Sequence, residues 1–271
     1  MTNIEVKSNS KKEKLNIYNS IDFQSMRKAG CLAAKTLDFI TKYVQSGVMT
    51  EELDKLCHNF IVNNKAQPAP LNYNGFPKSI CTSVNYVVCH GIPSKKFLDK
   101  GDIINIDVTV ILDGWHGDTS RMFIVGETTS IKAKKLIEIT YKSMMEGIKK
   151  TKPGVTLGDI GYTIEQIAKQ NNFSIVKDFC GHGIGRNFHE APSVLHYGTK
   201  DQGLKLKEGM IFTIEPMLNS GTDKVKILND GWTAVTKDKK LSAQFEHTIG
   251  VAKNGYEIFT LSPKNYHKPP Y

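Results

Sequence analysis

Apolar residues recur at helical spacing in the first part of the chain. Between Met26 and Val44 they occupy every third or fourth position, a period typical of an amphipathic helix. Thr50 then matches an N-cap residue that opens a second helix, with apolar positions as far as Ile61. The Pro-, Asn- and Gly-rich stretch 68–77 that follows predicts an irregular loop.

Strand-like patterns dominate the rest of the chain. Apolar, β-branched runs predict strands over 80–90, 102–112 and 115–125, and helical patterns follow near 131–150 and 156–170. From about 174 to 262, several short strands are predicted, broken by Gly, Pro and Asn-Asp-Gly turns. Helices and strands are therefore both predicted throughout the body of the chain.

Acidic residues interrupt two of these apolar runs, where acids are rare. Asp107 follows Ile-Ile-Asn-Ile, and Glu215 follows Ile-Phe-Thr-Ile. A carboxylate taken out of water destabilises the fold unless a cation or several donors compensate it. Together with Asp118, Glu246 and nearby histidines, these acids predict a divalent metal site, although Glu246 taken alone is better explained as a solvent-facing strand residue.

A hairpin signal gives Asp107 and Asp118 a relative position. Asp113-Gly114 between two β-rich runs predicts a two-residue turn, which would place Thr109 opposite Asp118. Asp107 would then lie diagonally across from Asp118 on the same face, with Cα atoms roughly 7–8 Å apart. Carboxylates at this spacing can share cations, since paired metals in hydrolases lie about 3.5–4 Å apart.

A faint internal repeat relates the two acidic strands at an offset of 108 residues, from Asp107 to Glu215. The matched residues are Leu98, Gly101, Ile103, Ile106 and Asp107 in the first copy, and Leu206, Gly209, Ile211, Ile214 and Glu215 in the second. Strand composition alone also accounts for such a match. The repeat nevertheless places an acid at the same point of each copy, which predicts two related halves facing one central site.

Three histidines are candidates for the same chemistry. His182 is flanked by glycines on both sides, which allow the backbone to approach a ligand closely. His189 follows seven residues later, and His90 precedes a Gly-Ile-Pro segment. The remaining histidines are expected to be structural: His58, His116, His196, His247 and His267.

Composition excludes several classes of function. The hydrophobic and charged fractions, 39% and 23%, are those of an ordinary globular protein, and no apolar run reaches the roughly 20 residues of a membrane span. The polar start of the chain has no secretory signal pattern, so a cytoplasmic location is expected. The net charge of +9 comes from scattered lysines, which disfavours specific nucleic-acid recognition, although a basic surface favours RNA-rich partners such as the ribosome.

Five cysteines without a Cys-x-x-Cys pair predict free thiols in a reducing compartment. A nucleophilic hydrolase using Cys81 or Cys89 with a histidine is one alternative, but it leaves the strand acids unexplained. For domain organisation, a single catalytic domain is predicted over 21–262. A flexible N-terminal tail, 1–20, and a C-terminal tail, 263–271, would flank it.

The segments around these residues resemble those of type I methionine aminopeptidases. The resemblance covers roughly 22–262, and it rests on His90, Asp107 to Asp118, His182 to His189, Glu215-Pro216-Met217 and Glu246-His247-Thr248. It implies the α+β "pita-bread" fold, in which two pseudo-symmetric halves with a curved, mainly antiparallel sheet and covering helices enclose a dinuclear metal centre. Nothing between His189 and Glu215 is long enough for the insertion of type II enzymes.

The resemblance also implies roles for individual residues. The five metal ligands would be Asp107, Asp118, His182, Glu215 and Glu246, holding two divalent ions chosen among Co, Mn, Fe and Zn. Asp118 and Glu246 would bridge the ions. Glu215 would move a proton from water to the leaving amine, while His189 would donate to the oxyanion and His90 would orient the substrate at the scissile nitrogen.

A methionine side-chain pocket is implied in the same way. Its residues would be Tyr73, Phe76, Cys81, His90, Phe188 and Trp232, with His189 also contacting substrate, since a thioether favours an aromatic-lined slot. Periodicity alone does not exclude ordinary core positions for Tyr73, Phe76 and Trp232. Pro70 and Asn74 stand where bacterial members often carry a cysteine and a histidine, so details of this pocket are expected to differ.

The implied activity is removal of N-terminal methionine from nascent proteins, preferentially before a small second residue. Its partner would be the N-terminal segment of a nascent polypeptide, with the ribosome surface as a further candidate, and the chain is expected to be a monomer. Two alternatives stay open. One is an X-Pro aminopeptidase or prolidase of the same fold, and the other is a non-catalytic binding module that retains the fold.

Overall fold

The computed structural model describes residues 15–126 and 128–271, so most of the predicted N-terminal tail, 1–14, lies outside the described residues. The helices of the described chain are α1 Ser20–Ile40, α2 Thr50–Asn63, α3 Ile131–Ile148 and α4 Leu157–Gln170. The strands of its first half are β1 Gln67–Pro68, β2 Cys81–Val84, β3 Val87–Cys89, β4 Ile103–Leu112 and β5 Trp115–Ile124. Those that follow are β6 Ser174–Ile175, β7 Gly181–Gly183, β8 Glu190–Val194, β9 Ile211–Ile214, β10 Met217–Asn219, β11 Val225–Ile227, β12 Ala234–Thr236, β13 Ser242–Gln244, β14 Glu246–Ala252 and β15 Gly255–Ile258.

The first helix forms where the apolar spacing predicts it. Asn19 caps it, because its side chain accepts hydrogen bonds from the amides of Ile21 and Asp22. Every apolar position of the predicted stripe from Met26 onwards is buried. The helix ends earlier than predicted, at Ile40, and the chain continues as a short 3-10 turn.

The predicted cap of the second helix is wrong. Met49 is the N-cap and Thr50 is the first helical residue. The Thr50 hydroxyl donates to the carbonyl of Ser94 at 3.0 Å and accepts from the Ser94 amide at 2.9 Å. Glu52 accepts from the Met49 amide instead, so Thr50 ties the helix to a distant loop. The helices predicted near 131–150 and 156–170 are present and have the side-chain caps Ser130 and Thr156.

The predicted loop and the strand after it both contain more local structure than their patterns indicate. Within 68–77, Tyr73–Gly75 form a 3-10 turn flanked by left-handed backbone at Asn72. The strand predicted over 80–90 is two strands, β2 and β3, because the backbone turns at Asn85, which has a φ of 55°.

The nine-stranded sheet has the order β1-β4-β5-β14-β9-β7-β8, with β15 beside β14 and β2 beside β4. Its central hairpin has the predicted register, with Thr109 opposite Asp118. Asp113 and Gly114 form the turn at φ 51° and 74°, the left-handed backbone that a two-residue hairpin turn requires. Asp107 pairs with Ser120, so it lies diagonally across from Asp118 as predicted.

Two similar halves meet where β5 pairs with β14. One hydrophobic core packs α1 and α2 against β4 and β5, and a second packs α3 and α4 against β9 and β14. The matched glycines of the repeat share a left-handed backbone, with φ of 94° at Gly101 and 88° at Gly209. Their amides donate to equivalent carbonyls of Val125 and Val251 at 2.8 and 2.9 Å. The repeat is therefore a structural one.

The ends of the described chain are packed on this body. In the predicted N-terminal tail, Leu15 contacts the second core, and Tyr18 donates a hydrogen bond to Glu190 at 2.8 Å. In the predicted C-terminal tail, the hydroxyl of Tyr271 donates to the carbonyl of Met122 at 2.8 Å. Residues 15–19 and 263–271 thus form part of the folded body. None of the helices in the described ranges combines the length and hydropathy required to cross a bilayer.

Candidate metal centre and substrate cavity

A cavity of about 780 Å³ opens where the two halves meet. Its lining contains every residue that the sequence predicts to act in metal binding, catalysis or substrate binding: Tyr73, Phe76, Cys81, His90, Asp107, Asp118, His182, Phe188, His189, Glu215, Trp232 and Glu246. The structure therefore brings the predicted set together around one space. The role of each residue stays a prediction.

The predicted ligands cluster at the floor of the cavity. Single ligand atoms of Asp118, His182 and Glu246 all lie within 4.8 Å of one another. Glu215 adjoins this group, since its Oε1 atom lies 3.7 Å from the Nε2 atom of His182. Asp107 reaches the same floor from β4 through its diagonal position relative to Asp118.

Hydroxyl and amide side chains orient these carboxylates. Thr109 donates to Oδ1 of Asp118 at 2.7 Å across the hairpin. In the other half, Thr213 donates to Oε1 of Glu215 at 2.7 Å, and the Gln244 amide donates to its Oε2 at 3.3 Å. Each of these carboxylates is thereby held in one rotamer with its remaining lone pairs free for a ligand.

His182 presents a lone pair to the acids. Its Nδ1 atom lies 3.0 Å from the Gly183 carbonyl, so Nδ1 carries the hydrogen and donates. Nε2 then faces Oδ2 of Asp118 at 3.6 Å without a hydrogen. Burial lowers the pKa of His182 to about 3, so the ring is neutral at pH 7. A neutral imidazole facing carboxylates is the arrangement expected of a metal ligand.

The acids themselves indicate that a cation belongs here. The Oδ1 atom of Asp107 is buried and has no hydrogen-bond partner among the described residues. Burial raises the pKa of Asp107 to about 7 and that of Glu215 to about 8. Burial and neighbouring carboxylates also raise the pKa values of Asp118 and Glu246. A divalent ion would compensate these like charges, so the residues present fit a metal.

Aromatic rings wall the cavity beside these acids. Phe76 packs edge-on against Trp232 at 5.3 Å between ring centroids. His90 packs against Trp232 and against Phe179 at 6.1 and 5.5 Å. Burial lowers the pKa of His90, which keeps its ring neutral. The backbone of His90 is left-handed, with a φ of 55°, so its position depends on an unusual local conformation.

His189 lies at the mouth of the cavity. Its ring stacks on Phe188 at 4.3 Å and lies 4.2 Å from the ring of His182. Partial burial and the nearby histidines lower the pKa of His189 to about 4, so the ring is neutral at pH 7. The Nδ1 atom lies 2.8 Å from the hydroxyl of Tyr73.

Several residues of the site carry no prediction. Thr213 lies in β9 two positions before Glu215, which directly follows the strand, and the two side chains are hydrogen-bonded. This spacing is a usable signal. The hairpin register predicts Thr109 opposite Asp118 but gives it no role. His196, expected to be structural, accepts a hydrogen bond from the Glu215 amide at 3.0 Å. His196 thus supports Glu215, a candidate metal ligand, through the backbone amide, and no local sequence pattern predicts this contact.

Cys81 and Cys89 do not have the environment of a catalytic nucleophile. All five cysteines are free, as predicted, and each lies within the described residues. Burial and nearby acids raise the pKa values of Cys81 and Cys89 well above that of an ordinary thiol. Since the thiolate is the nucleophile, these thiols are unreactive near neutral pH. Pro70 and Asn74, the two unusual pocket positions, both lie on the cavity wall.

Comparison with known proteins places this site in a family. The family model for metallopeptidase family M24 matches residues 24–253. The methionine aminopeptidase of Rickettsia prowazekii is 61% identical over 95% of this chain and 99% of its own. The crystal structure of methionine aminopeptidase from Rickettsia prowazekii superposes with a TM-score of 0.91, covering 92% of this chain and 100% of that one.

A more distant structure has a similar fold at low sequence identity. The prolidase of Pyrococcus horikoshii superposes with a TM-score of 0.68 at 22% identity, covering 90% of this chain and 63% of its own, and shares the fold alone. The predicted family resemblance, the pita-bread fold, the enzyme class and the use of divalent metal are confirmed. The chain belongs to metallopeptidase family M24, and within it to the methionine aminopeptidases of bacterial type.

Proposed function

We propose that this chain hydrolyses the first peptide bond of polypeptides that begin with methionine, preferentially when the second residue is small. The observation that carries the proposal is the meeting of four carboxylates and one neutral imidazole at the floor of an aromatic-walled cavity. The 61% identity to a methionine aminopeptidase across 95% of this chain supports the same activity.

The residues that would hold metal are Asp107, Asp118, His182, Glu215 and Glu246, with two divalent ions as the proposed complement. Cobalt, manganese, iron and zinc all suit mixed carboxylate and imidazole ligands. Asp118 and Glu246 lie on the adjacent strands β5 and β14, so both would hold metal where the two halves meet. When bound, such ions supply Lewis acidity that makes water more nucleophilic and a carbonyl more electrophilic.

Three side chains would do the protein's part of the chemistry. Glu215, buried at the floor of the cavity, would transfer a proton from water towards the leaving amine. His189 is neutral at the cavity mouth and can donate one hydrogen bond to a developing oxyanion. His90 would orient the substrate at the nitrogen of the scissile bond, from its place beside Trp232.

The aromatic wall would receive the methionine side chain. Phe76, Trp232 and Phe188 line the cavity together with the buried Cys81, which pairs with Asp107 in the sheet. A flexible thioether packs favourably on such rings. Tyr73 would contribute its ring to the same wall. Pro70 and Asn74 would alter the shape of this pocket without touching the metal ligands.

We expect the chain to act in the cytoplasm, as a monomer, on the N-terminal segments of nascent proteins. The net charge of +9 supports attraction to the RNA-rich ribosome surface. We propose residues 21–262 as the catalytic domain, with the segments 15–20 and 263–271 attached to it.

Release of free methionine tests the proposal. Purified protein is incubated with Met-Ala-Ser and with Gly-Pro peptides, each with manganese or cobalt and with a chelator. The proposal requires metal-dependent release of methionine and no cleavage before proline. Cleavage of the Gly-Pro bond would identify the X-Pro alternative, and metal binding without cleavage of either peptide would identify a non-catalytic module.

A further inference from the structure

Tyr73 makes a polar contact with His189 in addition to lining the methionine pocket. Its hydroxyl lies 2.8 Å from the Nδ1 atom of His189, and the two rings are tilted by 35° with centroids 5.2 Å apart. Phe188 packs on both residues, at 4.9 Å from Tyr73 and 4.3 Å from His189. Three aromatic side chains thus hold the hydroxyl and the imidazole in fixed register.

Tyr73 is carried on a tight turn of the main chain. Tyr73 begins a 3-10 turn, with left-handed backbone at Asn72 and Asn74, φ 66° and 49°. Asparagine tolerates this conformation better than most residues. The turn closes through a hydrogen bond from the Phe76 amide to the Tyr73 carbonyl at 3.0 Å, so the ring is carried on a rigid element rather than on a loose loop.

The hydrogen bond selects a tautomer of His189. A neutral imidazole has one donor nitrogen and one acceptor nitrogen. If Tyr73 donates to Nδ1, the hydrogen of the ring resides on Nε2. Nδ1 of His189 is the hydrogen-bond partner that the structure gives the Tyr73 hydroxyl, and a phenol hydroxyl needs an acceptor for its hydrogen, so donation from Tyr73 to Nδ1 is the arrangement that satisfies both groups.

We infer that Tyr73 is a positioning residue that fixes His189 in the tautomer with the hydrogen on Nε2, ready to donate to the substrate carbonyl. This inference rests on the proposed function, since it assigns a partner to the proposed oxyanion donor. It gives Tyr73 a role in the rate of the reaction as well as in binding of the methionine side chain.

Steady-state kinetics with Met-Ala-Ser separate the two roles. Tyr73→Phe keeps the ring and removes the hydroxyl, and we expect kcat to fall about tenfold with KM within about twofold of the wild type. Phe76→Leu changes the wall without touching His189 and should mainly raise KM. Tyr43→Phe removes a hydroxyl outside the cavity and should change neither constant. A raised KM with unchanged kcat in Tyr73→Phe would reduce Tyr73 to a wall residue and overturn the inference.

A double-mutant cycle tests whether the two residues act as a unit. In the His189→Ala background, Tyr73→Phe should have no further effect on kcat, because the imidazole that the hydroxyl orients is gone. If the two effects multiply, the hydroxyl acts independently of His189 and the inference fails.

The tautomer itself can be observed on the zinc-loaded holoenzyme, whatever its activity. Two-bond ¹⁵N–¹H spectra, assigned by loss of the His189 signals in His189→Ala, should show the hydrogen on Nε2 in the wild type and a mixture of tautomers in Tyr73→Phe. A hydrogen on Nδ1 in the wild type contradicts the inference. Failure of the wild type to release methionine would instead contradict the proposed function, and the spectra still report on Tyr73.

Discussion

The Nε2 atom of His182 lies 3.6 Å from the Oδ2 atom of Asp118, although the two residues belong to opposite halves of the fold. Asp118 comes from β5, whose side chains follow the register of the central hairpin. His182 comes from β7, in the half covered by α3 and α4. Their approach fixes the floor of the cavity, because a ligand common to both must lie between the halves.

Replacing Asp118 by Asn should remove metal binding and activity together. The variant keeps the size of the side chain and the acceptor for Thr109, but it loses the negative charge at the centre of the predicted ligand set. We expect metal content, measured by elemental analysis, to fall by at least one ion per chain and methionine release to fall by about a thousandfold or more. Turnover near that of the wild type would exclude Asp118 as a shared ligand.

His189→Ala should affect chemistry without affecting metal content. His189 contacts Tyr73 and Phe188 at the mouth of the cavity. Within the described residues it forms no hydrogen bond with the carboxylates of the site. Loss of one donor to a developing oxyanion costs about a hundredfold or more in kcat. Elemental analysis of the same preparation is the control, since loss of an ion in the variant would show that His189 is a metal ligand.

Metal binding should release protons near neutral pH. Burial raises the pKa values of Asp107 and Glu215 to about 7 and about 8, above their unfolded values, so the metal-free folded protein retains protons there at pH 7. The ion displaces them. Calorimetric titration with manganese in two buffers of different ionisation enthalpy should show proton release at pH 6.5 and much less at pH 9.

The same shifts set the stability of the metal-free protein. Between the ordinary carboxyl pKa of the unfolded chain and these raised values, the folded state binds more protons than the unfolded state. The free energy of unfolding is therefore greatest at the low-pH end of this range and falls as pH rises through about 7 to 8. The contribution of these acids should disappear when metal is bound, so chemical denaturation with and without manganese should diverge as pH rises. Parallel curves would contradict the assignment.

Gly117→Ala should destabilise the fold by about 3 kcal/mol or more. An added Cβ atom would lie within 3.0 Å of the Ala29 backbone, so α1 would have to move away from β5. Gly255→Ala is a matched control, because its Cβ atom would meet nothing within 4 Å. The free energies of unfolding from urea titration should differ between the two variants, and equal values would show that α1 yields without cost.

The sequence carries most of the fold where the signal is local or periodic. The Asp113-Gly114 turn determines the pairing of β4 with β5, since only left-handed backbone closes a two-residue hairpin with the observed twist. The acids in apolar strands identify the metal site for the same reason, because burial of charge is costly wherever it occurs.

Long-range contacts account for what the sequence does not predict. The interaction of Thr50 with Ser94 converts a recognisable cap into a tertiary anchor. The support of Glu215 by His196 joins residues on separate elements through a backbone amide. The packing of Tyr271 on the body is equally invisible in its neighbours along the chain. Each depends on partners whose proximity follows only from the complete fold.

The pairing of β5 with β14 has a mechanical consequence. Each half has its own hydrophobic core, and the predicted ligands are divided between them, Asp107 and Asp118 on one side and His182, Glu215 and Glu246 on the other. An ion held by both sets would act as a reversible crosslink between the two halves. Its removal would leave like charges facing each other between the two halves, so the metal would stabilise their junction as well as take part in catalysis.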